Sequence, residues 1–238
     1  MIKNGATLTV AGGSTLNVSG TLKLMDYSTL LLQGKNRSAQ VDGAWTGAGV
    51  EINAGNIVVD AGSKITADGQ GYEGGIQGDG KGPGGGAGTE RGGSGGSYGG
   101  KGSRSFSGAL PRETYGSALY PVDLGSGGGA QTDQPSFRGG AGGGAIRLNV
   151  SGTLVLNGLI TANGGAGVGT DTGGGSGGSI YVTTGVITGS GVFTANGGTG
   201  VAKNFSQGGG GRIAVYYGEG SGFTGFSSST TDVVGALA

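Results

Sequence analysis

Apolar and polar residues alternate with a period of two through much of this chain. Ile146, Leu148 and Val150 alternate with Arg147 and Asn149; Ile180 and Val182 alternate with Tyr181 and Thr183. Ile213, Val215 and Tyr217 do the same around Arg212 and Tyr216. This is the pattern of strands with one face turned inward. The N-terminal third has the same grammar in shorter pieces, "ATLTV", "STLNV", "TLKLM" and "STLLLQG", punctuated by "AGG", "SG" and "DY". No helical periodicity is sustained over three turns.

The strands recur. "ITANGGAG" at 160–167 returns as "FTANGGTG" at 193–200, 33 positions later, and "ITADGQG" at 65–71 is an earlier copy. "GGAIRLNV" (143–150), "GGSIYVTT" (177–184) and "GGRIAVYY" (210–217) form a second series, and "GNIVVDAG" matches "GTLVLNG" (152–158). The unit is strand, short turn, strand, TANG or TADG, then a glycine-rich excursion. Units of tens of residues that cannot bury their own apolar face stack on their neighbours. The expected fold is therefore all-β: a right-handed parallel β-solenoid (β-helix), with a β-sandwich as the rival. The expected inward set is Leu8, Val10, Leu16, Val18, Leu22, Leu24, Leu30, Leu32, Ile57, Val59, Ile65, Leu154, Leu156, Ile160, Ile187 and Phe193.

Composition changes the picture at one place. Of 238 residues 65 are glycine, against about 7% in ordinary proteins, and 28 of them fall in residues 70–144. There the chain leaves the repeat for much longer than one unit. Glycine occupies every third position at 82, 85 and 88 and again at 93, 96, 99 and 102. A polyproline-II chain has three residues per turn, so this spacing lines one edge with glycine and lets neighbouring chains approach. The expectation is a polyproline-II/polyglycine-II-like layer inserted between coils, its backbone groups paired between chains; flexible glycine loops are the alternative. Three regions follow: N-terminal coils at 1–69, a glycine-rich insertion with a small lid at 70–144, and C-terminal coils with two shorter excursions at 145–238. The lid segment, 105–129, carries Phe106, Leu110, Tyr115, Leu119, Tyr120, Val122 and Leu124 as its own apolar surface. The C-terminal "FTGFSSSTTDVVGALA" is expected to cap one end or to continue into a next subunit.

The ordered pieces "YGS…LGSGGG…GGAGGGAIRLNVSGTLVLNGLITANGG…GGGSGGSIYV…GGGGRIAVYY", spanning roughly residues 50–217, resemble a module of very large secreted or surface-anchored, adhesin-like bacterial proteins. The resemblance implies extracellular or cell-surface placement and a structural or adhesive role. It transfers no catalytic residue. The start at Met1 without an export signal departs from it, and is read as an excised fragment or an unusual export route.

Charge and chemistry narrow the classes further. Fourteen basic residues balance fourteen acidic ones, which disfavours nucleic acid, whose phosphates need clustered positive charge. With no cysteine and no histidine, thiol chemistry, zinc–thiolate sites and histidine acid–base catalysis are excluded. No apolar run is long enough to span a membrane. Among carboxylates, Asp60 and Asp68 with Glu51 upstream offer a glycosidase-like pair, but Asp68 stands where Asn163 and Asn196 stand in the other units and reads as a turn residue. Asp79 in "QGDGKGPGG" is a single acidic residue in a glycine turn, short of a calcium-binding series. Thr66, Thr161 and Thr194 form one file that could order water on an ice-binding face. The aromatics Tyr98, Phe106, Tyr115 and Tyr120 of the insertion are the candidate ligand-binding residues, for a cell-surface glycan; no cofactor, metal or catalytic residue is expected. The other expected partners are further copies or neighbouring modules, associating end to end or laterally.

Overall fold

The computed structural model describes residues 1–201, 205–219, 222–226 and 231–232. Among these there is no helix, and none therefore long and apolar enough to cross a membrane. The strands are β1 (Thr7–Val10), β2 (Thr15–Leu24), β3 (Thr29–Leu32), β4 (Val50–Val59), β5 (Lys64–Thr66), β6 (Gly88–Thr89), β7 (Gly92–Gly93), β8 (Ala145–Leu156), β9 (Leu159–Thr161), β10 (Ser179–Thr188), β11 (Val192–Thr194), β12 (Arg212–Glu219) and β13 (Thr231–Asp232).

Apart from the short antiparallel pair β6–β7, these strands form two parallel sheets. One has the order β1-β3-β5-β9-β11-β13 and the other β12-β10-β8-β4-β2. Successive strands of the main series fall alternately in one sheet and then the other. Each file of equivalent residues is continuous. Leu16, Ile52, Leu148, Val182 and Val215 lie side by side across the five-stranded sheet. Leu30, Ile65, Ile160 and Phe193 do so across the other. Inward residues of both sheets belong to one buried aliphatic cluster, and each fully buried Leu, Ile or Val contributes about 1.5–3 kcal/mol.

The unequal spacing of the repeats is absorbed without loss of register. Thr66 pairs with Thr161, 95 positions on, and Thr161 with Thr194. Ala67 N–H donates to the Thr161 carbonyl and Ala162 N–H to that of Thr194, and Ala67, Ala162 and Ala195 are all fully buried. The one-residue mismatch between "GGAIRLNV" and "GGSIYVTT" disappears at a bulge: two residues, Ser151 and Gly152, separate Val150 from Thr153, where Gly185 alone separates Thr184 from Val186.

Two inward expectations are corrected. Leu8 is 44% exposed, because β1 is the edge of its sheet and no further strand among the described residues covers it. Tyr217 is exposed for the same reason on edge strand β12, and stacks on Phe226 at 5.6 Å. Phe226 lies 4.7 Å from Phe223, which packs on the core cluster beside Phe193. Phe223 and Phe226 of the C-terminal segment thus lie against Phe193. The rest of the expected capping segment, at 227–230 and 233–238, lies outside the described residues.

The glycine-rich segments lie against one another and are joined by backbone hydrogen bonds with a period of three. In the returning run 173–178, Gly173 and Ser176 donate to Gly129 and Ser126. Gly174 and Gly177 donate to Ser206 and Gly209, and Gly175 and Gly178 to Gly165 and Ala162. Its carbonyls accept from three further segments, through Gly140 and Gly143, Gly96, and Gly198. Consecutive residues thus bond in different directions around the chain. A side chain has no room in this arrangement: a Cβ on Gly173 would come within 3.0 Å of Ser94 backbone, and one on Gly175 within 3.0 Å of Ala141 and Gly142 backbone. Small side chains are admitted at a few positions, serine and Ala130 among them. Ser94, Ser97 and Ser126 are fully buried, and their hydroxyls accept from Ala87, Gly102 and Gly84 N–H at 2.8–3.0 Å.

Candidate functional site

The lid lies over the outer face of β10 and β12 and is held there mainly by polar contacts. Most of its expected apolar core is outside: Leu110, Leu119 and Val122 are exposed, while Leu124 is fully buried. Side chains below grip the lid backbone instead. Ser94 Oγ donates to the Leu110 carbonyl and Ser97 Oγ to that of Arg112. Arg212 donates to the Tyr115 carbonyl at 3.0 Å and Tyr216 to that of Leu119 at 2.8 Å.

The four aromatic candidates do not form one site. Tyr98 is 0% exposed. Ser179 Oγ spends its single proton on the Asp123 carbonyl at 2.6 Å, so the Tyr98 hydroxyl must donate to Ser179, also at 2.6 Å. Burial pushes the Tyr98 phenol up to about 12. Tyr115 packs on it with ring centroids 4.8 Å apart. Its hydroxyl donates to the Leu124 carbonyl and so receives the Ser126 hydroxyl proton at 2.9 Å; burial raises this phenol too. Both rings therefore fasten the lid, and Tyr98 offers no face to a ligand. Asp123 beside them is raised by burial, against the opposing pull of Arg212, whose guanidinium lies 5.4 Å from the Tyr98 ring.

Phe106 is 74% exposed and sits elsewhere, edge-on to Phe205 at 5.4 Å. Its loop is pinned by buried Asp171, whose carboxylate accepts from Phe106 N–H, Ser107 N–H and the Ser206 hydroxyl at 3.0–3.1 Å.

Tyr120 is the one candidate placed among other functional groups. It lies 4.5 Å from Tyr181, which lies 5.7 Å from Tyr216. The Arg147 guanidinium is 5.3 Å from the Tyr120 ring and 5.7 Å from Tyr181, and pairs with Glu51 at 3.6 Å. A cleft of about 220 Å³ opens here between Tyr120 and Val122 of the lid and Glu51 and Arg147 of the sheet. Such an arrangement binds planar or apolar faces by stacking and hydroxyls by hydrogen bonds. The sequence reading missed Arg147, Tyr181 and Tyr216 as site residues, treating them only as outward positions. The signal was present: setting the repeats in register places Tyr181 beside Arg147.

The other candidate chemistries are placed as follows. Asp68 accepts from Thr161 Oγ1 at 2.9 Å and Asn163 N–H at 2.6 Å, and Asn163 in turn accepts from Asn196 N–H, a ladder of turns after neighbouring strands. Glu51 lies on the other sheet. Asp79 accepts from Gly88 N–H and Arg112. Thr66 and Thr161 are each 5% exposed and their hydroxyls bond each other at 2.8 Å, while Thr194 is partly exposed, so two of the three threonines of this file do not face water.

No family model matches the chain, and comparison with curated proteins and with solved structures finds no match.

Proposed function

We propose that this chain is a rigid structural and adhesive module of an extracellular bacterial protein: a right-handed parallel β-solenoid with a polyglycine-II-like body inserted between its coils, acting without catalysis. The observation that carries the reading is the threefold hydrogen bonding of run 173–178 to its surrounding segments. Strands in a sheet resist shear along one plane. A chain bonded around its whole circumference resists it in every transverse direction, which suits a spacer under load. The solenoid reading is supported by the continuous side-chain files and by strands that alternate between two parallel sheets. Right-handedness is the near-universal hand of parallel crossover connections. Placement outside the cell rests on the resemblance of the repeat order to adhesin-like modules.

Strands β1 and β2 are the edges of their sheets at one end, β2 being paired there only at Leu24, with Ile2, and unpaired edges are sites for further pairing. End-to-end assembly into fibres follows as part of the same proposal. Electron microscopy of the purified chain tests it: short rods at low concentration and longer ones as concentration rises are expected, and Leu8→Lys, which places a charge on the exposed edge, should stop the lengthening without lowering the melting temperature. Irregular or collapsed particles would refute the rigid module, while discrete rods of constant length would remove only the fibre.

A further inference from the structure

A file of polar side chains runs across the outer face of the five-stranded sheet. Asn17, Asn53, Asn149 and Thr183 lie in register on neighbouring strands, and Tyr216 on edge strand β12 ends the file. The first four are joined in turn by side-chain hydrogen bonds. Asn53 donates to Asn17 Oδ1 at 2.9 Å, Asn149 to Asn53 Oδ1 at 2.8 Å, and Thr183 to Asn149 Oδ1 at 3.2 Å. Asn149 spends its second N–H on Glu51 at 2.8 Å, which also sets the amide orientation along the file, since a carboxylate only accepts. Beside this file the strands lose register together, between Val18 and Thr21, Ala54 and Ile57, and Thr184 and Val186. Aligned bulges bend a sheet locally, and here a groove of about 640 Å³ opens over Asn17, Asn53, Asn149, Thr183, Ser19 and Ser151.

We propose that this groove binds a neutral, extended glycan lying across the strands. Its lining is uncharged, and Arg147, two positions before Asn149 on β8, is engaged by Glu51 and Tyr120, so the groove lacks the positive charge that an acidic polymer or nucleic acid requires. A peptide strand would seek a sheet edge, where backbone groups are unpaired, and not the face. The amide ladder leaves one N–H of Asn53 and both of Asn17 for a ligand, with the Ser19 and Ser151 hydroxyls alongside, which matches the mixed donors and acceptors of sugar hydroxyls. At the far end Tyr216, with Tyr181 and Tyr120 behind it, supplies aromatic surface for the apolar face of a ring. Five rungs at ~4.8 Å spacing give the file a length of ~19 Å, which accommodates several sugar rings. Because the ladder is already bonded, little side-chain freedom is lost on binding. The inference goes beyond the scaffold reading and does not depend on fibre formation.

The test is affinity electrophoresis and calorimetry of the full chain against four probes: soluble cellulose, xylan and chitin oligosaccharides, and polygalacturonate as the acidic control. Saturable binding to at least one neutral probe is expected, with none to polygalacturonate. Ser151→Trp fills the groove from an exposed position without touching the ladder, and should weaken binding at least tenfold. Asn149→Ala should weaken it similarly, and Leu110→Ala on the lid should leave it unchanged. Circular dichroism of each variant confirms folding. No binding to any neutral probe, preference for the acidic one, or binding indifferent to Ser151→Trp would each overturn the proposal, whatever shape the particles take in the microscope.

Discussion

The density of the glycine body makes Gly175→Ala an informative perturbation. The added methyl would lie within 3.0 Å of the Ala141 carbonyl and the Gly142 nitrogen. These are backbone atoms and cannot rotate away, so run 173–178 must shift from run 139–144. Overpacking of this kind costs about 1–3 kcal/mol. The shift also strains two bonds that Gly175 makes, its N–H to Gly165 and its carbonyl from Gly198, at about 1 kcal/mol each. The expected loss is about 3–5 kcal/mol. For a chain of this length each kcal/mol moves the melting temperature by about 2–4 °C, so the drop is roughly 6–20 °C.

Gly20→Ala is the control. A Cβ there meets nothing within 4 Å, and the position needs no positive φ. Reducing the freedom of the unfolded chain should make this variant neutral or more stable by up to about 1 kcal/mol. Thermal unfolding followed by circular dichroism compares the two. If Gly175→Ala melts within a degree or two of the parent, the run is not confined as described, and the threefold bonding would not hold the body together. If both variants fall equally, glycine matters here for backbone freedom and not for space.

Further outcomes follow from single groups. Tyr98 is neutral in the fold and its pKa is pushed up to about 12 by burial, above its unfolded value near 10; the stability this contributes is intact below pH 10 and is lost between pH 10 and 12, at about 2–3 kcal/mol. Tyrosinate absorbance should therefore rise late and together with loss of structure, and Tyr98→Phe should remove part of that alkaline transition; early, non-cooperative ionisation of every tyrosine would contradict it. Asp171→Ala strands three donors and should cost about 2–4 kcal/mol, with hydrogen exchange accelerating at Phe106 and Ser107. Asp171→Asn keeps an acceptor and suits the positive φ at this position, so its effect should be smaller.

The strands were legible because their period is simple. Ile146, Leu148 and Val150 read inward from spacing alone and are buried. The alignment of Ala67 with Ala162 was legible because "TADG" and "TANG" survive a 95-residue gap. What spacing does not reveal is which rung is last. Leu8 and Tyr217 carry the inward pattern yet lie exposed at sheet edges, and a local pattern contains no information about missing neighbours. The lid was misjudged for a related reason. Its apolar residues suggested a small core, but Ser94, Ser97 and Tyr216 hold its backbone from outside the segment. Tyr98 looked like a surface ring because it stands among glycines, where no apolar neighbour announces burial. Its enclosure comes from Tyr115 and Ser179, 17 and 81 positions away.

The two parts of the molecule use the backbone differently, and this bears on how they are joined. In the sheets, side chains on one face supply burial while hydrogen bonds run in the sheet plane. In the glycine runs there is almost no side-chain burial, so ordering each residue, at about 1–2 kcal/mol, must be offset by hydrogen bonds and close backbone contact. Such a run would not hold alone. It is anchored at both ends: Gly144, Gly178 and Gly211, each just before a strand, donate to Ala67, Ala162 and Ala195, each just after a strand of the other sheet, at 2.7 Å. The aliphatic files fix those alanines, and the alanines fix where each glycine run begins. The glycine body is then a dependent structure, and loss of the aliphatic core at Ile160, beside Ala162, should melt both together in one transition, whereas Gly175→Ala should loosen the glycine runs first.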